Sequence, residues 1–465
     1  MMKHFDLIVL GGGSAGYAGA RTGVELGKKV AVVDGAKELG GLCILRGCMP
    51  SKTLIYAAEV LHLAQNGKKF GLNIPHAEAD FPAIHKRKKE VIGEFQEYRE
   101  EQLKDGRFEL FQQMGKFTGE REITLADGTI LTADKILIST GSKISTPPVQ
   151  GLDLPGILTS DEILELDRKL ESVIVLGGGV VACELAQFLS RTGSKTTLIQ
   201  RSPNILKSMS PEVSDAVIGA FREEGMNVFT GTNDLQIQKK SEGYAATFQH
   251  DGKAVTVEAA EVVNALGRIP STANLGLENV QIETLRSGHI QTNEFQQTTN
   301  PDIYAAGDCA GPHEVVHVAI LQGECAVKKA FGGNPEPMDY DPLLTVVFTD
   351  PQAAFVGLSE AELKKRAIPY LTESFPFDDH GKSILMEAKH GYVKVIAHKE
   401  TGQVLGAECV SKDAGELIHA LSVAVGLKAK VQDLIKVHWY HPTLSEIWTY
   451  PLEDLAEAID AKSSN

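Results

Sequence analysis

The chain has 465 residues, 43% of them hydrophobic and 23% charged, which predicts a soluble globular protein of about three domains and excludes a disordered chain. Its 46 basic and 61 acidic residues give a net charge of −15, which disfavours a nucleic-acid or anionic-membrane surface. No apolar run approaches the ~18 residues of a membrane helix, and the N-terminus lacks the pattern of a secretory signal, so we expect a cytoplasmic protein without membrane partners.

Two glycine-rich segments organise the sequence. The hexapeptide Ile-Val-Leu-Gly-Gly-Gly occurs at residues 8–13 and again at residues 174–179. Each copy ends a short apolar run, opens a predicted helix and is followed by a second β-rich run. The helices and the runs that follow them are 14–27 with 30–33, and 180–193 with 196–199. This βαβ context favours a genuine dinucleotide-binding fingerprint over a chance match.

The glycine spacing matches G-x-G-x-x-G/A in both copies. The first glycine makes a tight turn, the second lets the backbone approach a pyrophosphate, and the third position packs helix on strand. The helix N-terminus then holds the phosphates. Two copies predict two dinucleotide sites in one chain. The fingerprint residues are Gly11, Gly13 and Gly16 in the first copy, and Gly177, Gly179 and Ala182 in the second.

The residues after the second β-rich runs differ between the copies. Asp34 follows the first run, where a carboxylate accepts hydrogen bonds from a ribose diol. The equivalent position in the second copy is Gln200, followed by Arg201 and, further on, Lys207. The missing carboxylate and the added cations favour a ribose 2′-phosphate, and hence NADP over NAD. The alternative is that Arg201 is a surface arginine and either nucleotide binds.

The segment 40–52 contains two cysteines, Cys43 and Cys48, five residues apart. In a regular α-helix their Cα atoms would lie ~8.6 Å apart, too far for a disulfide, so a bridge needs a distorted turn, which Gly47 favours. Pro50 suits the first turn of a helix, which would place Cys48 near a helix N-terminus and lower its thiol pKa. A zinc site is the alternative, but no further cluster with ligand spacing accompanies the pair, and we expect no metal.

Two further segments carry charged or titratable side chains. The basic run 86–89 is followed by five glutamates up to residue 101 and is typical of the solvated face of a long helix.

Near the C-terminus, His441 is followed five residues later by Glu446. A histidine and a carboxylate could form a base and the group that orients it for thiol chemistry.

Together these motifs resemble the class I pyridine nucleotide-disulfide oxidoreductases, flavoproteins that include dihydrolipoamide dehydrogenase, glutathione reductase and mercuric reductase. The resemblance covers nearly the whole chain. Besides the two fingerprints, its motifs are the two cysteines with Pro50-Ser51-Lys52, then Ser139-Thr140-Gly141, 265–270, 303–308, 347–351, and His441-Pro442-Thr443 with Glu446.

The resemblance implies an α/β fold with two Rossmann-like dinucleotide-binding domains, one for FAD and one for NAD(P), and a C-terminal α+β interface domain that forms a homodimer. The expected segments are 1–148 for the first part of the FAD domain, 149–268 for the NAD(P) domain, 269–337 for the second part of the FAD domain, and 338–465 for the interface domain.

The resemblance also assigns roles to residues. Asp34 would bind the FAD ribose and Asp308 the ribitol chain, with Thr140, Gly141, Gly307 and Gly267 among the cofactor-binding residues. Lys52 and Glu184 match an ion pair beside the flavin. Cys48 would be the thiolate against the flavin and Cys43 the thiol that exchanges with substrate. His441, oriented by Glu446, would be the acid/base and would complete the active site of the partner subunit.

Departures from the family pattern leave the substrate open. Leu42 and Leu45 replace polar residues near the flavin and the disulfide, and Arg46 adds a charge. Val180 is typical of dihydrolipoamide dehydrogenase or mercuric reductase, whereas glutathione reductase usually has a tyrosine there. The stretches 180–187 and 306–309 are similar to mercuric reductase. Two features oppose a mercury enzyme: the sequence ends without the paired cysteines that transfer of a soft metal would need, and it keeps His441, which thiol–disulfide exchange needs and mercuric reductases generally lack.

The leading hypothesis is therefore a dihydrolipoamide dehydrogenase-like enzyme acting on a small dithiol or disulfide. The alternatives are an NADPH-dependent reductase of a low-molecular-weight disulfide, a mercuric reductase-like enzyme, and a flavin-bearing redox sensor or binding subunit with little turnover.

Overall fold

The computed structural model describes residues 2–463; residue 1 and residues 464–465, which the expected terminal segments include, lie outside it. In the described part the strands are β1 (Met2–Leu10), β2 (Val30–Val33), β3 (Glu109–Phe111), β4 (Gly115–Gly119), β5 (Glu122–Leu125), β6 (Ile130–Ile138), β7 (Ser142–Ile144), β8 (Leu158–Thr159), β9 (Ser172–Leu176), β10 (Lys195–Ile199), β11 (Asn227–Phe229), β12 (Asn233–Lys239), β13 (Tyr244–His250), β14 (Lys253–Ala259), β15 (Glu261–Asn264), β16 (Arg268–Pro270), β17 (Ile303–Ala305), β18 (Leu344–Val347), β19 (Gln352–Gly357), β20 (Tyr370–Pro376), β21 (Tyr392–His398) and β22 (Val404–Ser411).

The α-helices of the described residues lie between groups of these strands or follow the last of them. None of them is long and apolar enough to cross a bilayer. They are α1 (Ser14–Glu25), α2 (Gly41–Arg46), α3 (Cys48–Gln65), α4 (Phe81–Lys104), α5 (Ser160–Leu164), α6 (Val180–Arg191), α7 (Pro211–Glu223), α8 (Val316–Ala330), α9 (Glu360–Lys365), α10 (Gly381–Leu385), α11 (Ala414–Leu417), α12 (His419–Gly426), α13 (Val431–Leu434) and α14 (Thr449–Ser463).

The first sheet has the strand order β3-β2-β1-β6-β5-β4, with β17 added beside β6. β1 pairs in parallel with both β2 and β6, so its side chains alternate between two covered faces. Leu7 and Val9 pack with residues of α1 and α8, whereas Ile8 and Leu10 pack on the opposite face. Because β17 pairs in parallel with β6, a late segment of the chain completes this early sheet.

The second sheet is parallel throughout, in the order β11-β10-β9-β15-β8. Val173 and Val175 of β9 belong to a core that includes residues of α6 and α7. Ile174 and Leu176 face the other way, toward the antiparallel sheet β12-β13-β14. The unit β9–α6–β10 therefore repeats β1–α1–β2, as the duplicated glycine motif predicts.

The two fingerprint helices end earlier than predicted. α1 ends at Glu25 and α6 at Arg191, because Gly27 and Gly193 have φ values of +72° and +100°, which an α-helix cannot contain. The difference is two residues at the C-terminal end of each helix, and the helix N-termini, which face the glycine loops, are as predicted.

A further sheet, β18-β19-β22-β21-β20, is antiparallel and lies in the C-terminal part of the chain. Its core includes Trp448, Leu452 and Leu455, so α14 packs against it. The segment between α13 and α14 carries both His441 and Glu446. This mixed unit has the α+β architecture that the resemblance implies; the exact segment boundaries stay predictions.

The basic run on α4 is only partly a solvated face. Lys86, Arg87 and Lys89 are exposed, but Lys88 is 3% exposed and its Nζ lies 2.6 Å from Glu165 Oε1. The prediction was wrong for Lys88 because this residue follows Phe81 by seven positions. It therefore falls on the buried side of the helix, where its ammonium needs a carboxylate partner.

Candidate active site

The first glycine loop joins β1 to α1 and is packed too closely for side chains. Gly11 has φ +101°, and a Cβ there would lie 2.4 Å from the carbonyl oxygen of Ser139. A Cβ on Gly16 would lie 1.8 Å from the carbonyl oxygen of Gly11. Asp34, at the end of β2, accepts a hydrogen bond of 2.8 Å from the backbone N–H of Gly12. The predicted ribose carboxylate thus lies directly against the loop.

Gly13, the second glycine of the first fingerprint, is the point at which the loop contacts the segment that carries the cysteines. A Cβ on Gly41 would be 2.8 Å from the Cα of Gly13. The loop and α2 therefore approach each other through two glycines. This contact connects the first dinucleotide site to the cysteine segment.

Thr140 and Asp308 lie at the carboxyl ends of β6 and β17, which are neighbours in the first sheet. Asp308 Oδ2 accepts a hydrogen bond of 2.6 Å from the hydroxyl of Ser142. The hydroxyl oxygen of Thr140 is buried and has no hydrogen-bond partner in the described residues. Gly141 has φ +68°, and a Cβ there would meet nothing within 4 Å. A polar group without a partner beside open space fits a bound cofactor, and these residues fit FAD.

Gly307, just before Asp308, is held by a side chain of α8. Its backbone N–H donates to Gln322 Oε1 at 2.7 Å, and Gln322 is fully buried. The turn that presents Asp308 therefore depends on a buried amide on a different element. Sequence reasoning missed Gln322, because only this distant contact distinguishes it from an ordinary helix residue.

The second glycine loop has the same backbone geometry as the first. Gly177 has φ +118°, and a Cβ there would lie 2.4 Å from the carbonyl oxygen of Ala265. Ala182 is fully buried, consistent with close packing of α6. A Cβ on Gly179 or on Gly267 would meet nothing within 4 Å. This open space beside the N-terminus of α6 fits the phosphates of a second dinucleotide.

The segment after β10 folds back onto the second loop. The backbone N–H of Leu206 donates to the carbonyl oxygen of Gly178 at 2.6 Å, and a Cβ on Gly178 would lie 2.9 Å from Gln200 Cγ. Arg201 and Lys207 lie within this segment and are exposed. Both cations are therefore near the loop and free to approach a ligand in solution.

Cys43 and Cys48 lie on two helices separated only by Gly47. α2 ends at Arg46 and α3 begins at Cys48, and Gly47 has φ −136° and ψ −119°, far from helical values. A Cβ on Gly47 would lie 2.9 Å from the carbonyl oxygen of Leu42 and 3.1 Å from the Cα of Cys43. The predicted distorted turn is thus confirmed, and it places the two free thiols close enough to influence each other's pKa.

The pKa values of the two thiols are shifted in opposite directions. The pKa of Cys48 is lowered to about 7, chiefly because its sulfur accepts a hydrogen bond from Cys43, and Lys52 and the backbone N–H at the helix start add to the effect. Burial and Glu184 oppose it. The same hydrogen bond, together with burial, raises the pKa of Cys43. Above about pH 7, one thiolate therefore resides on Cys48.

The remaining cysteines behave differently. All four are buried, and burial raises the pKa of each thiol, to about 11 for Cys309 and to about 12 for Cys409. No group of three or more histidine, cysteine, aspartate or glutamate side chains in residues 2–463 could hold a metal ion. The remaining cysteines are Cys183, Cys309, Cys325 and Cys409.

An ion pair next to the cysteines joins the two glycine-loop units. Lys52 Nζ of α3 lies 2.8 Å from Glu184 Oε2 of α6, and the Glu184 side chain is 3% exposed. Its other oxygen accepts a hydrogen bond of 2.9 Å from the backbone N–H of Phe348, whose ring lies 4.7 Å from Lys52 Nζ. Removing the Lys52 ammonium would leave the buried Glu184 carboxylate without its counter-charge, at a cost of about 3–5 kcal/mol. Sequence reasoning missed Phe348 as the third member of this contact.

His441 and Glu446 form the predicted pair. His441 Nδ1 lies 2.9 Å from Glu446 Oε2, and the His441 side chain is 79% exposed whereas that of Glu446 is 15% exposed. Neither residue makes a hydrogen bond or an ion pair with the cysteine segment in the described part of the chain. A second histidine, His380, lies on the other side of Glu446, and the sequence analysis did not single it out.

The acidity of Cys48 can be tested by removing its hydrogen-bond donor. In reduced Cys43→Ala, we expect the thiolate titration of Cys48, followed by alkylation rate with iodoacetamide against pH, to move from about 7 to higher pH by about one pH unit or more. Cys43→Ser is the matched control, because its hydroxyl still donates. A midpoint unchanged in Cys43→Ala would contradict the assigned cause.

Comparison with known proteins supports the same family along most of the chain. Residues 5–323 match the family described as pyridine nucleotide-disulphide oxidoreductase, and residues 343–451 match the dimerisation domain of that family. A mercuric reductase from Lysinibacillus sphaericus is 33% identical over 95% of this chain and 81% of its own length.

Two further relatives match almost end to end. A dihydrolipoyl dehydrogenase from Bacillus subtilis strain 168 is 31% identical over 100% of this chain and 99% of its own length. The crystal structure of LpdA from Mycobacterium tuberculosis superimposes with a TM-score of 0.87 at 26% identity, covering 97% of this chain and 99% of that one. The expected fold, with FAD and a pyridine nucleotide as cofactors, is confirmed. The chain belongs to the pyridine nucleotide-disulphide oxidoreductase family.

Proposed function

We propose that this FAD-dependent enzyme acts on a small dithiol or disulfide of the lipoyl type, as its dihydrolipoyl dehydrogenase relative does by name. The observation that carries the proposal is the asymmetric thiol pair, with an acidic Cys48 beside the Lys52–Glu184 ion pair and a less acidic Cys43 on α2. Val180 at the second fingerprint and the His441–Glu446 pair also support it.

In this proposal the two cysteines divide the chemistry. A substrate thiolate attacks Cys43 Sγ of the oxidised pair, which breaks the Cys43–Cys48 bond and leaves a thiolate on Cys48. The second substrate thiol gives its proton to His441 and attacks the mixed disulfide, releasing Cys43 and the oxidised substrate. Bound FAD would carry the electron pair between the cysteines and NAD(P). Asp34, Thr140 and Asp308 are the residues that would hold it, with the glycines Gly11, Gly13, Gly16, Gly141 and Gly307.

The dimerisation domain supports a homodimer. Among residues 2–463, the exposed His441 makes no hydrogen bond or ion pair with the cysteine segment, which supports a site completed by a second copy. We therefore propose that His441, oriented by Glu446, completes the active site of the partner subunit. We also propose a cytoplasmic location, where thiols stay reduced.

The substrate class is tested by steady-state assays of the holoenzyme with lipoamide, dihydrolipoamide, glutathione disulfide and Hg(II), each with the NAD or NADP couple. We expect the highest kcat/KM with the lipoyl pair, and a loss of about 10³-fold or more in Cys43→Ser because the exchanging thiol is gone. Cys325→Ser is the matched control, since Cys325 lies on α8 away from the thiol pair, and it should retain turnover.

Other outcomes of these assays would replace the proposal. Preference for glutathione disulfide with NADPH would favour the reductase of a low-molecular-weight disulfide, and preference for Hg(II) would favour the mercuric reductase-like alternative. Bound flavin without turnover of any of these compounds would favour a redox sensor or binding subunit.

We further propose that the second dinucleotide is NADP, bound by Gly177, Gly179, Ala182 and Gly267 at the loop. The support is Gln200 in place of a ribose carboxylate, with Arg201 and Lys207 exposed on the segment that folds back onto the loop. A guanidinium and an ammonium attract a 2′-phosphate and gain little from a 2′-hydroxyl.

For Arg201→Ala we expect kcat/KM with NADPH to fall about tenfold or more, because a charge-assisted hydrogen bond is lost, while the value with NADH stays unchanged. The comparison uses purified holoenzyme at low ionic strength, with Arg286→Ala as a control for loss of an exposed arginine elsewhere. Preference for NADH in the unmodified enzyme, together with no effect of the substitution, would show that NADP is the wrong assignment.

A further inference from the structure

A buried histidine lies directly behind the His441–Glu446 pair. His380, immediately before α10, is 1% exposed, and its Nε2 lies 3.5 Å from Glu446 Oε1. Its other ring nitrogen, Nδ1, lies 2.8 Å from the hydroxyl oxygen of Ser383, which is fully buried. The carboxylate of Glu446 therefore lies between two imidazoles, one buried and one exposed.

The carboxylate beside Nε2, which can only accept, favours one tautomer of His380. In a neutral imidazole one nitrogen carries a proton and the other accepts. The hydroxyl of Ser383 can donate to Nδ1, which leaves the proton on Nε2, facing the carboxylate. The 3.5 Å separation is at the outer limit of a hydrogen bond, and Nε2 has no better partner among the described residues. Because catalytic hydrogen bonds in ligand-free enzymes are often long, a small rotation of Glu446 would complete this contact.

The surroundings of His380 favour the neutral ring. Burial lowers the pKa of His380; Glu446 opposes this effect and His441 adds to it. The ring of Tyr450, on α14, lies 6.5 Å away, edge to face, and the ring of Phe377 lies 6.3 Å away. The charged groups on its own segment, Asp378, Asp379 and Lys382, are exposed or partly exposed to solvent.

We propose that His380 is a positioning residue of the acid/base pair: held by Ser383, it donates Nε2–H to Glu446 Oε1, which His441 Nδ1 also approaches to 3.1 Å, and so favours Oε2, at 2.9 Å, as the acceptor of Nδ1–H of His441. The inference rests on the proposed role of His441 in dithiol exchange. His380 touches neither substrate nor thiols in this arrangement, and it acts by orienting the carboxylate and by sharing its negative charge.

The consequence is a defined pH dependence. Oxidation of a dithiol requires an unprotonated His441, and a carboxylate with full charge favours the protonated ring. Loss of the His380 donor leaves more charge on Glu446. The acidic limb of the kcat/KM profile for dihydrolipoamide should then move to higher pH.

The first test uses the unmodified holoenzyme and needs no substrate. In ¹⁵N-histidine NMR spectra we expect His380, assigned from the loss of its signals in His380→Gln, to have a protonated Nε2 and an unprotonated Nδ1. In Ser383→Ala, the preference for this tautomer should weaken. A protonated Nδ1 in the unmodified enzyme would overturn the proposal, whether or not any variant folds.

The second test measures the pH profile of kcat/KM. For His380→Leu we expect the midpoint of the acidic limb to move to higher pH, so that the proton concentration at this midpoint falls about threefold to tenfold. His380→Gln, which places an N–H near the position of Nε2, should restore the limb. His76→Leu, at an exposed histidine, should match the unmodified enzyme. Identical profiles for all four proteins would overturn the positioning role.

The two tests also separate this inference from the proposed function. If the unmodified enzyme shows the Nε2–H tautomer but does not turn over any dithiol, the proposed function fails while the contact between His380 and Glu446 is supported. If dithiols turn over with an unshifted limb in His380→Leu, the proposed function stands and the positioning role fails.

Discussion

The chemistry of this protein depends on the break between two helices at Gly47. A continuous helix would hold the Cα atoms of the two cysteines ~8.6 Å apart and would engage the backbone N–H groups of Cys48 and its neighbours in intrahelical hydrogen bonds. The break brings the sulfurs together and makes Cys48 the first residue of a new helix. Sulfur–sulfur contact and thiolate stabilisation therefore come from one local feature, and only glycine has room for it beside Leu42 and Cys43.

The surrounding fold converts this local feature into a site. Lys52 lies one turn after Cys48 on α3, and its partner Glu184 comes from α6 of the second unit. Phe348, at the start of the C-terminal unit, donates its N–H to the same carboxylate. Three parts of the chain thus meet at one buried carboxylate. Because an uncompensated charge there is expensive, their relative placement is strongly constrained.

Local motifs made much of this predictable. The glycine spacing predicted both βαβ units, and the cysteine segment predicted the distorted turn at Gly47, because each depends on residues close together in sequence. The sequence did not predict contacts between a side chain and an element that is distant in the chain. Lys88 is paired with Glu165, 77 residues away, and His380 meets Glu446 across 66 positions. No periodicity or spacing indicates such contacts, and the same is true of Phe348 and Gln322.

The division of roles between the two cysteines is the central claim, and the visible spectrum of the two-electron-reduced holoenzyme tests it most directly. A thiolate on Cys48 beside the flavin predicts a long-wavelength absorption band that persists in Cys43→Ser and is absent in Cys48→Ser. A band that survives in Cys48→Ser but is lost in Cys43→Ser would contradict the account.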